Sequence, residues 1–308
     1  MVLLGKTELL VSRIGLGADH FGTAIDEKTA ERILDAYLDM GGNFIDTANI
    51  YGKWVKGAGN ASEKFLGRYL RSRKPSWIVA TKGGHYTFDA PHRMRLSKAE
   101  IEKDLDESLM TLGLDTLDFY WLHRDDPDRE IIEIIETMNS FVKAGKIRYF
   151  GASNYSASRL FEANAYAEAH GLSSFSAVSN RYSALLENPL SEGDKTLVVT
   201  REEELAFHKT TKTPLVPYQA TARGYFTKLL ENRADEGLIR RYKNPENEAL
   251  FRELLHFSRE HGCSMQTATL VKTASLPFQV IPLTSVKCPE QLEDIRAAML
   301  MLEKGESL

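Results

Sequence analysis

Ile78-Val79-Ala80-Thr81-Lys82 reads as a short apolar strand that ends on a lysine. Ser97-Lys98-Ala99-Glu100-Ile101 then opens a helix, with serine as N-cap and glutamate three residues later. Leu117-Asp118-Phe119-Tyr120-Trp121-Leu122-His123 follows as a second apolar strand, ending on a histidine. A strand, a helix and a strand in this order form the repeat of an α/β protein with a parallel sheet. The unit recurs in both directions along the chain. Strands are expected at 14–16, 44–46, 78–81, 117–122, 147–151, 176–179, 215–218 and 279–282. Helices are expected near 27–40, 61–72, 98–112, 129–144, 156–169, 201–211, 247–261 and 289–303, with Gly145 closing the one that ends near Ala144. Val2 to Leu4 and Leu9 to Val11, around the Gly5-Lys6-Thr7 turn, predict an N-terminal hairpin. Eight such repeats fit a doubly wound sheet or a closed barrel. The repeat count favours a (β/α)8 TIM barrel with the N-terminal β-hairpin as a cap.

The chain has 308 residues, of which 43% are hydrophobic and 27% charged, enough to bury a large core. With no low-complexity linker or change of composition, residues 1–308 are expected to form one domain. A net charge of -4 without a basic block argues against nucleic acid or an anionic membrane as partner. The first residues lack a basic leader with a long apolar run, so a cytoplasmic protein is expected. Cys263 and Cys288 lack CxxC spacing, and no HxH or HExxH occurs, so no metal site is expected. Oligomeric state is not legible in the sequence.

In a barrel, active sites are built on the rim where the strands end. Asp46 and Tyr51 follow the second expected strand, Lys82 closes the third and His123 closes the fourth. Each has an ordinary reading alone: a loop cap, a half-buried aromatic, a solvated charge, a core histidine. Together they suit carbonyl reduction, which needs a hydride on carbon and a proton on oxygen. No side chain donates hydride, so a cofactor is implied. A free tyrosine, with a pKa of about 10, is a weak acid at neutral pH. An ammonium beside it favours loss of the proton, and a carboxylate keeps that ammonium charged. Tyr51, Lys82 and Asp46 supply these parts, and His123 is placed to hydrogen-bond the substrate oxygen. Gly15-Leu16-Gly17-Ala18-Asp19-His20 begins like a GxGxxG dinucleotide fingerprint but ends on His20, so it reads as a strand-to-loop turn.

These residues, in the stretches DTANIYG (46–52), VATKGG (79–84) and YWLHRDDP (120–127), resemble the aldo-keto reductase family. The resemblance continues through LGKTELLVSRIGLG, ASEKFLGRYL, KIRYFGASNY, VPYQATARG and IPLTSVKCPEQLEDI, and so covers essentially the whole chain. It implies Asp46, Tyr51, Lys82 and His123 as a catalytic tetrad, with Tyr51 as general acid in reduction and base in oxidation. It implies Ser153 and Asn154 at the nicotinamide carboxamide, and Tyr218 stacked on the nicotinamide face. Gln219, Thr221, Arg223 and Gly224 are implied along the pyrophosphate. Where the family carries a glutamine in its sixth-strand motif, this chain has Ser179 followed by Asn180, and either is a candidate for that carboxamide contact. Ser285, Lys287, Gln291 and Asp294 are the candidates around the adenosine. Lys287 is the candidate for the 2'-phosphate, which favours NADPH (NADP+) over NADH. The family's asparagine near the adenine appears here as Ile295.

The expected partner is a small-molecule carbonyl or sugar. Trp54, His85 and Tyr86 are the candidate lining of its pocket, with Phe88, Tyr225 and Phe226 as further aromatics. The long breaks at 83–96, 183–200 and 222–246 are expected to form the loops that select it, and the short run after the last helix is expected to leave the site open. Two rivals to a reductase use the same residues. One is a lyase or epimerase that oxidises its substrate transiently with bound nicotinamide. The other is a regulatory subunit that senses the cofactor without turning over.

Overall fold

The computed structural model of the protein describes residues 1–72, 77–91, 93–189 and 194–306. The chain begins with β1 (Val2–Leu3) and β2 (Leu10–Val11), paired antiparallel with Val2 opposite Val11. Strands and helices then alternate: β3 (Gly15–Gly17), α1 (Glu27–Asp39), β4 (Phe44–Asp46), α2 (Ala61–Ser72), β5 (Ile78–Gly83) and α3 (Lys98–Leu112). They continue as β6 (Leu117–Leu122), α4 (Ile131–Lys143), β7 (Ile147–Ser153), α5 (Ala157–His170), β8 (Val178–Ser179) and α6 (Glu202–Thr211). Four helices come next, α7 (Tyr225–Leu230), α8 (Glu236–Tyr242), α9 (Pro245–His261) and α10 (Met265–Ala274), before β9 (Leu283–Thr284) and α11 (Leu292–Glu303).

The sheet is parallel, in the order β8-β7-β6-β5-β4-β3-β9. Leu215 supplies the seventh barrel strand, bridged in parallel to Val178 on one side and Val280 on the other. The Val216 amide donates to Val178 at 2.7 Å and the Ile281 amide donates to Leu215 at 2.9 Å. The strands therefore curl into a (β/α)8 barrel. The seventh and eighth strands are shorter than the expected 215–218 and 279–282, and the ladder of the eighth falls on Leu283–Thr284. Pro214, Pro217 and Pro282 lack an N–H, so a continuous ladder cannot form at those residues.

Two apolar layers hold the barrel. Phe44, Ala80, Phe119, Trp121, Ala177, Val216 and Ile281 fill the interior, and Leu4, Leu9 and Val11 of the hairpin pack against them as a plug. Gln279 fastens the plug: its amide donates to Leu3 at 2.7 Å and its carbonyl accepts from Gly5 at 2.8 Å. The larger layer lies between strands and helices, with Ile33, Leu34, Ile101, Leu105, Ile134 and Ile135 on the inward helix faces. Side-chain caps start the helices at Asp26, Ser97, Ser156, Asn244 and Ser264. No helix among the described residues is long and apolar enough to cross a membrane.

Three helices escaped the sequence reading. Helices α7 and α8 are short and lie within the stretch expected as a loop at 222–246. Helix α10 has Thr267, Thr269, Val271 and Thr273 among its ten residues and buries most of its circumference, so it shows neither helix propensity nor an amphipathic period. It directly precedes the eighth strand, the place expected for 247–261.

Helices α2 and α3 touch at Gly67, where a β-carbon would lie 2.1 Å from the Thr111 carbonyl oxygen. Gly67→Ala is therefore expected to destabilise the fold by about 1–3 kcal/mol through forced separation of the two helices, although alanine is the better helix former by about 1 kcal/mol. Urea unfolding measures this, and a midpoint equal to or above wild type would contradict so close a packing.

Candidate active site

Asp46 is the last residue of β4, Lys82 lies near the end of β5, and His123 follows β6 directly. Parallel pairing sets these ends side by side: Asp46 pairs with Ala80, and Lys82 with Trp121. Tyr51 returns to them on the turn after β4, where the Tyr51 amide donates to Ala48 at 2.9 Å. Lys82 and Asp46 form a buried ion pair. The Lys82 Nζ also donates to the Thr47 carbonyl at 2.8 Å and to the Tyr51 Oη at 3.3 Å. The His123 ring lies edge-on to Tyr51, with centroids 5.9 Å apart.

A cavity of about 650 Å³ opens at these four residues and runs across the rim. Its walls include Ser153, Asn154, Ser179, Tyr218, Gln219, Thr221, Arg223, Gly224, Ser285, Lys287, Gln291 and Asp294. Of the candidates for the cofactor, only Asn180 is absent from this wall. Its side chain is occupied by the Tyr155 backbone, accepting from the amide at 3.1 Å and donating to the carbonyl at 2.8 Å. Ser179 faces the cavity and its buried Oγ has no hydrogen-bond partner among the described residues. Asn154 Oδ1 accepts from the Tyr218 hydroxyl at 2.6 Å, and its amide donates to the His123 carbonyl at 3.1 Å. Asp294 accepts from Ser264 at 2.5 Å, and Gln291 accepts from the Lys287 amide at 2.7 Å.

The Gln219 to Gly224 loop is strained. Gln219, Ala222 and Arg223 have φ of 55°, 50° and 57°, a left-handed backbone that residues with a β-carbon seldom adopt. The candidate substrate residues stand beside the tetrad and outside the long cavity's wall. Trp54 is 5.9 Å from Tyr51 between ring centroids and His85 is 4.7 Å from His123, while Tyr86 donates to Asp194 at 2.9 Å. Bidentate contact between Arg95 and Asp104, at 2.8 and 3.0 Å, and a bond from Arg95 to the His85 carbonyl hold that loop in place.

Burial governs the ionisation of the site. It pushes the Tyr51 hydroxyl well above its usual range, the Asp46 and Asp19 carboxylates add to the rise, and Arg124 opposes it. Burial is the largest cause, and the Lys82 ammonium that donates to Tyr51 is itself paired with the Asp46 carboxylate. Burial also lowers Lys82 and raises Asp46, each opposed by the other's charge. His123 is held well below its ordinary value by burial, then by His85 and Arg124. His85 is lowered to about 4, by burial and then by Arg124. Both imidazoles are neutral at pH 7.

The sequence reading missed several wall residues. Asp19 lies two residues beyond β3, and Arg124 follows His123. The rule that found Asp46, a polar residue where a barrel strand ends, points to both. Lys228 and Arg233 sit within the stretch expected as a loop and bring two more cations to the cavity. Arg124 donates to the His123 carbonyl at 2.8 Å and to Thr196 at 2.9 Å, tying Thr196 to the end of β6.

The sequence pattern of the Aldo/keto reductase family matches residues 13–306. An uncharacterised oxidoreductase of Bacillus subtilis, YrpG, is 33% identical over 313 residues, which span 98% of this chain and 91% of that protein. The norsolorinic acid reductase stcV of Emericella nidulans is 27% identical, across 95% of this chain and 75% of its own length. A putative aryl-alcohol dehydrogenase of Schizosaccharomyces pombe is 26% identical, across 96% and 90%. The chain belongs to the aldo/keto reductase family and is an oxidoreductase acting between carbonyls and alcohols.

Proposed function

We propose that the protein is a cytoplasmic NADPH-dependent reductase of aryl aldehydes and ketones, working as one barrel unit, with Tyr51 as the proton donor. The observation that carries the reading is one continuous cavity, with Asp46, Tyr51, Lys82 and His123 at one end and Lys287, Gln291 and Asp294 at the other. The wall fits a dinucleotide by its chemistry. The unpartnered Ser179 Oγ and Gln219 Oε1 await hydrogen bonds, while Arg223, Lys228, Arg233 and Lys287 supply charge for phosphates. When bound, the nicotinamide supplies the hydride.

The residues of the chain do the rest. Tyr218 offers a flat ring on which a heterocycle stacks. Ser153, Asn154 and Ser179 hold the carboxamide, and Gln219, Thr221, Arg223 and Gly224 hold the pyrophosphate. His123 is neutral and orients the carbonyl oxygen. An alkoxide is a far stronger base than a phenolate, so Tyr51 gives up its proton as negative charge develops on that oxygen. Lys82 donates to the phenolate left behind, and Asp46 fixes Lys82. The rings of Trp54 and His85 beside the tetrad suit an aromatic carbonyl, in keeping with relatives described as aryl-alcohol dehydrogenases.

Tyr51→Phe should lower the turnover number for an aryl aldehyde by about 10²-fold or more while changing the NADPH dissociation constant less than about threefold. Fluorescence titration and nicotinamide absorbance measure both, and near-normal turnover would remove Tyr51 from the role. Tight binding by wild type with no turnover on any carbonyl would favour the cofactor sensor. Lys287→Ala should weaken NADPH by about tenfold or more and NADH by less than about twofold, since only the former carries the 2'-phosphate. Equal losses would mean that Lys287 does not touch that group.

The reduction rate should be flat between pH of about 6 and 8, because Tyr51 stays protonated and both histidines stay neutral there. Alcohol oxidation needs the Tyr51 phenolate as base and should rise steadily with pH through that range. A break in the reduction profile near the ordinary histidine value of about 6.5 would assign the proton to an imidazole instead.

A further inference from the structure

Three carboxylates line the cavity: Asp19, Asp46 and Asp294. Asp46 is spent on Lys82, and Asp294 on Ser264 at the far end. Asp19 is different. It stands at the tetrad end, where Gly17, the last residue of β3, pairs with Asp46 and the Ala18 amide donates to the Asp46 carbonyl at 2.9 Å. Its Oδ1 accepts from the Ser285 hydroxyl at 2.8 Å, which spans from the first strand to the eighth. Its one ion-pair contact among the described residues is the half-exposed imidazole of His20 at 3.4 Å. No lysine or arginine among the described residues forms an ion pair with it. Its charge acts on Asp46, Tyr51 and Lys82 alike, which places it within electrostatic reach of the reacting atoms.

We infer that Asp19 is a redox-biasing residue, a carboxylate that makes the cavity bind the oxidised, positively charged nicotinamide more tightly than the reduced one. The inference rests on the dinucleotide reading above. In carbonyl reduction the carbon gains the hydride and the oxygen gains the Tyr51 proton, which solvent replaces. The oxidised dinucleotide that remains carries one positive charge more than the reduced one. A fixed negative charge nearby stabilises that product state and leaves the neutral dihydropyridine ring almost untouched. By linkage, the factor by which the two dinucleotide affinities diverge is the factor by which reduction on the protein is favoured. Asp46 cannot do this alone, because Lys82 cancels its charge. Partial exposure of Asp19, 36% of its side chain, limits the effect to about tenfold.

The test is a pair of equilibrium titrations, NADPH by fluorescence and NADP+ by calorimetry, on wild type, Asp19→Asn and Asp19→Glu. Asp19→Asn keeps the acceptor for Ser285 and removes only the charge. It should weaken NADP+ by about tenfold and NADPH by less than about twofold, and Asp19→Glu should restore most of the NADP+ affinity. A loss shared equally by both redox forms would make Asp19 a structural contact, and no change in either would remove it from the site. Wild type that binds neither form would refute the dinucleotide reading itself, an outcome distinct from an unchanged ratio.

Discussion

Closure of the barrel at Leu215 is the constraint on which the site depends. Its bridges to Val178 and Val280 bring the last strand round to the first, where Gly15 pairs with Leu283. The β3–β9 pairing sets Ser285 within hydrogen-bond distance of Asp19, and closure at Leu215 carries Tyr218 and the 219–224 loop to the wall of the same cavity. Closure is achieved with few ladder bonds, since prolines interrupt both of the strands concerned. The hairpin plug compensates from the opposite end, where Leu4, Leu9 and Val11 pack against Val216, Ile281 and Leu283 in the barrel interior. Gln279 ties the plug to the strand that completes the ring.

Within that frame the Lys82 and Asp46 pair is a poor investment in stability. Taking two charges out of water costs several kcal/mol per ion, and their attraction seldom repays it. The burial that weakens both charges also keeps the Tyr51 proton in place and both histidines neutral. The site is therefore an array of fixed dipoles with one poised acid, and few groups change charge near neutral pH. Asp19 and Arg124 flank this array with opposite signs, and their pulls on Tyr51 oppose each other.

The strained 219–224 loop carries a comparable cost. Left-handed backbone at Gln219, Ala222 and Arg223 has no advantage for folding, and such strain persists where the surrounding structure holds it for a purpose. The loop follows the Tyr218 ring directly and leads into α7, so ring and loop are positioned by the same strand.

The sequence alone determined the repeat of strand and helix, the hairpin, and the polar residues at strand ends, because periodicity and termini are local properties of the chain. Asp46, Lys82 and His123 were legible for that reason. Helix α10 was not, since a helix buried on most sides has no amphipathic signature, and its threonines argue against it. The standing of Asn180 and Ser179 was also hidden. They are adjacent in sequence and both polar, and only packing turns one into the Tyr155 backbone and the other into the cavity. The direction of the Tyr51 shift belongs to the tertiary structure too: proximity of Lys82 can be guessed from strand order, but burial and the summed charges around a hydroxyl depend on every element that closes over it.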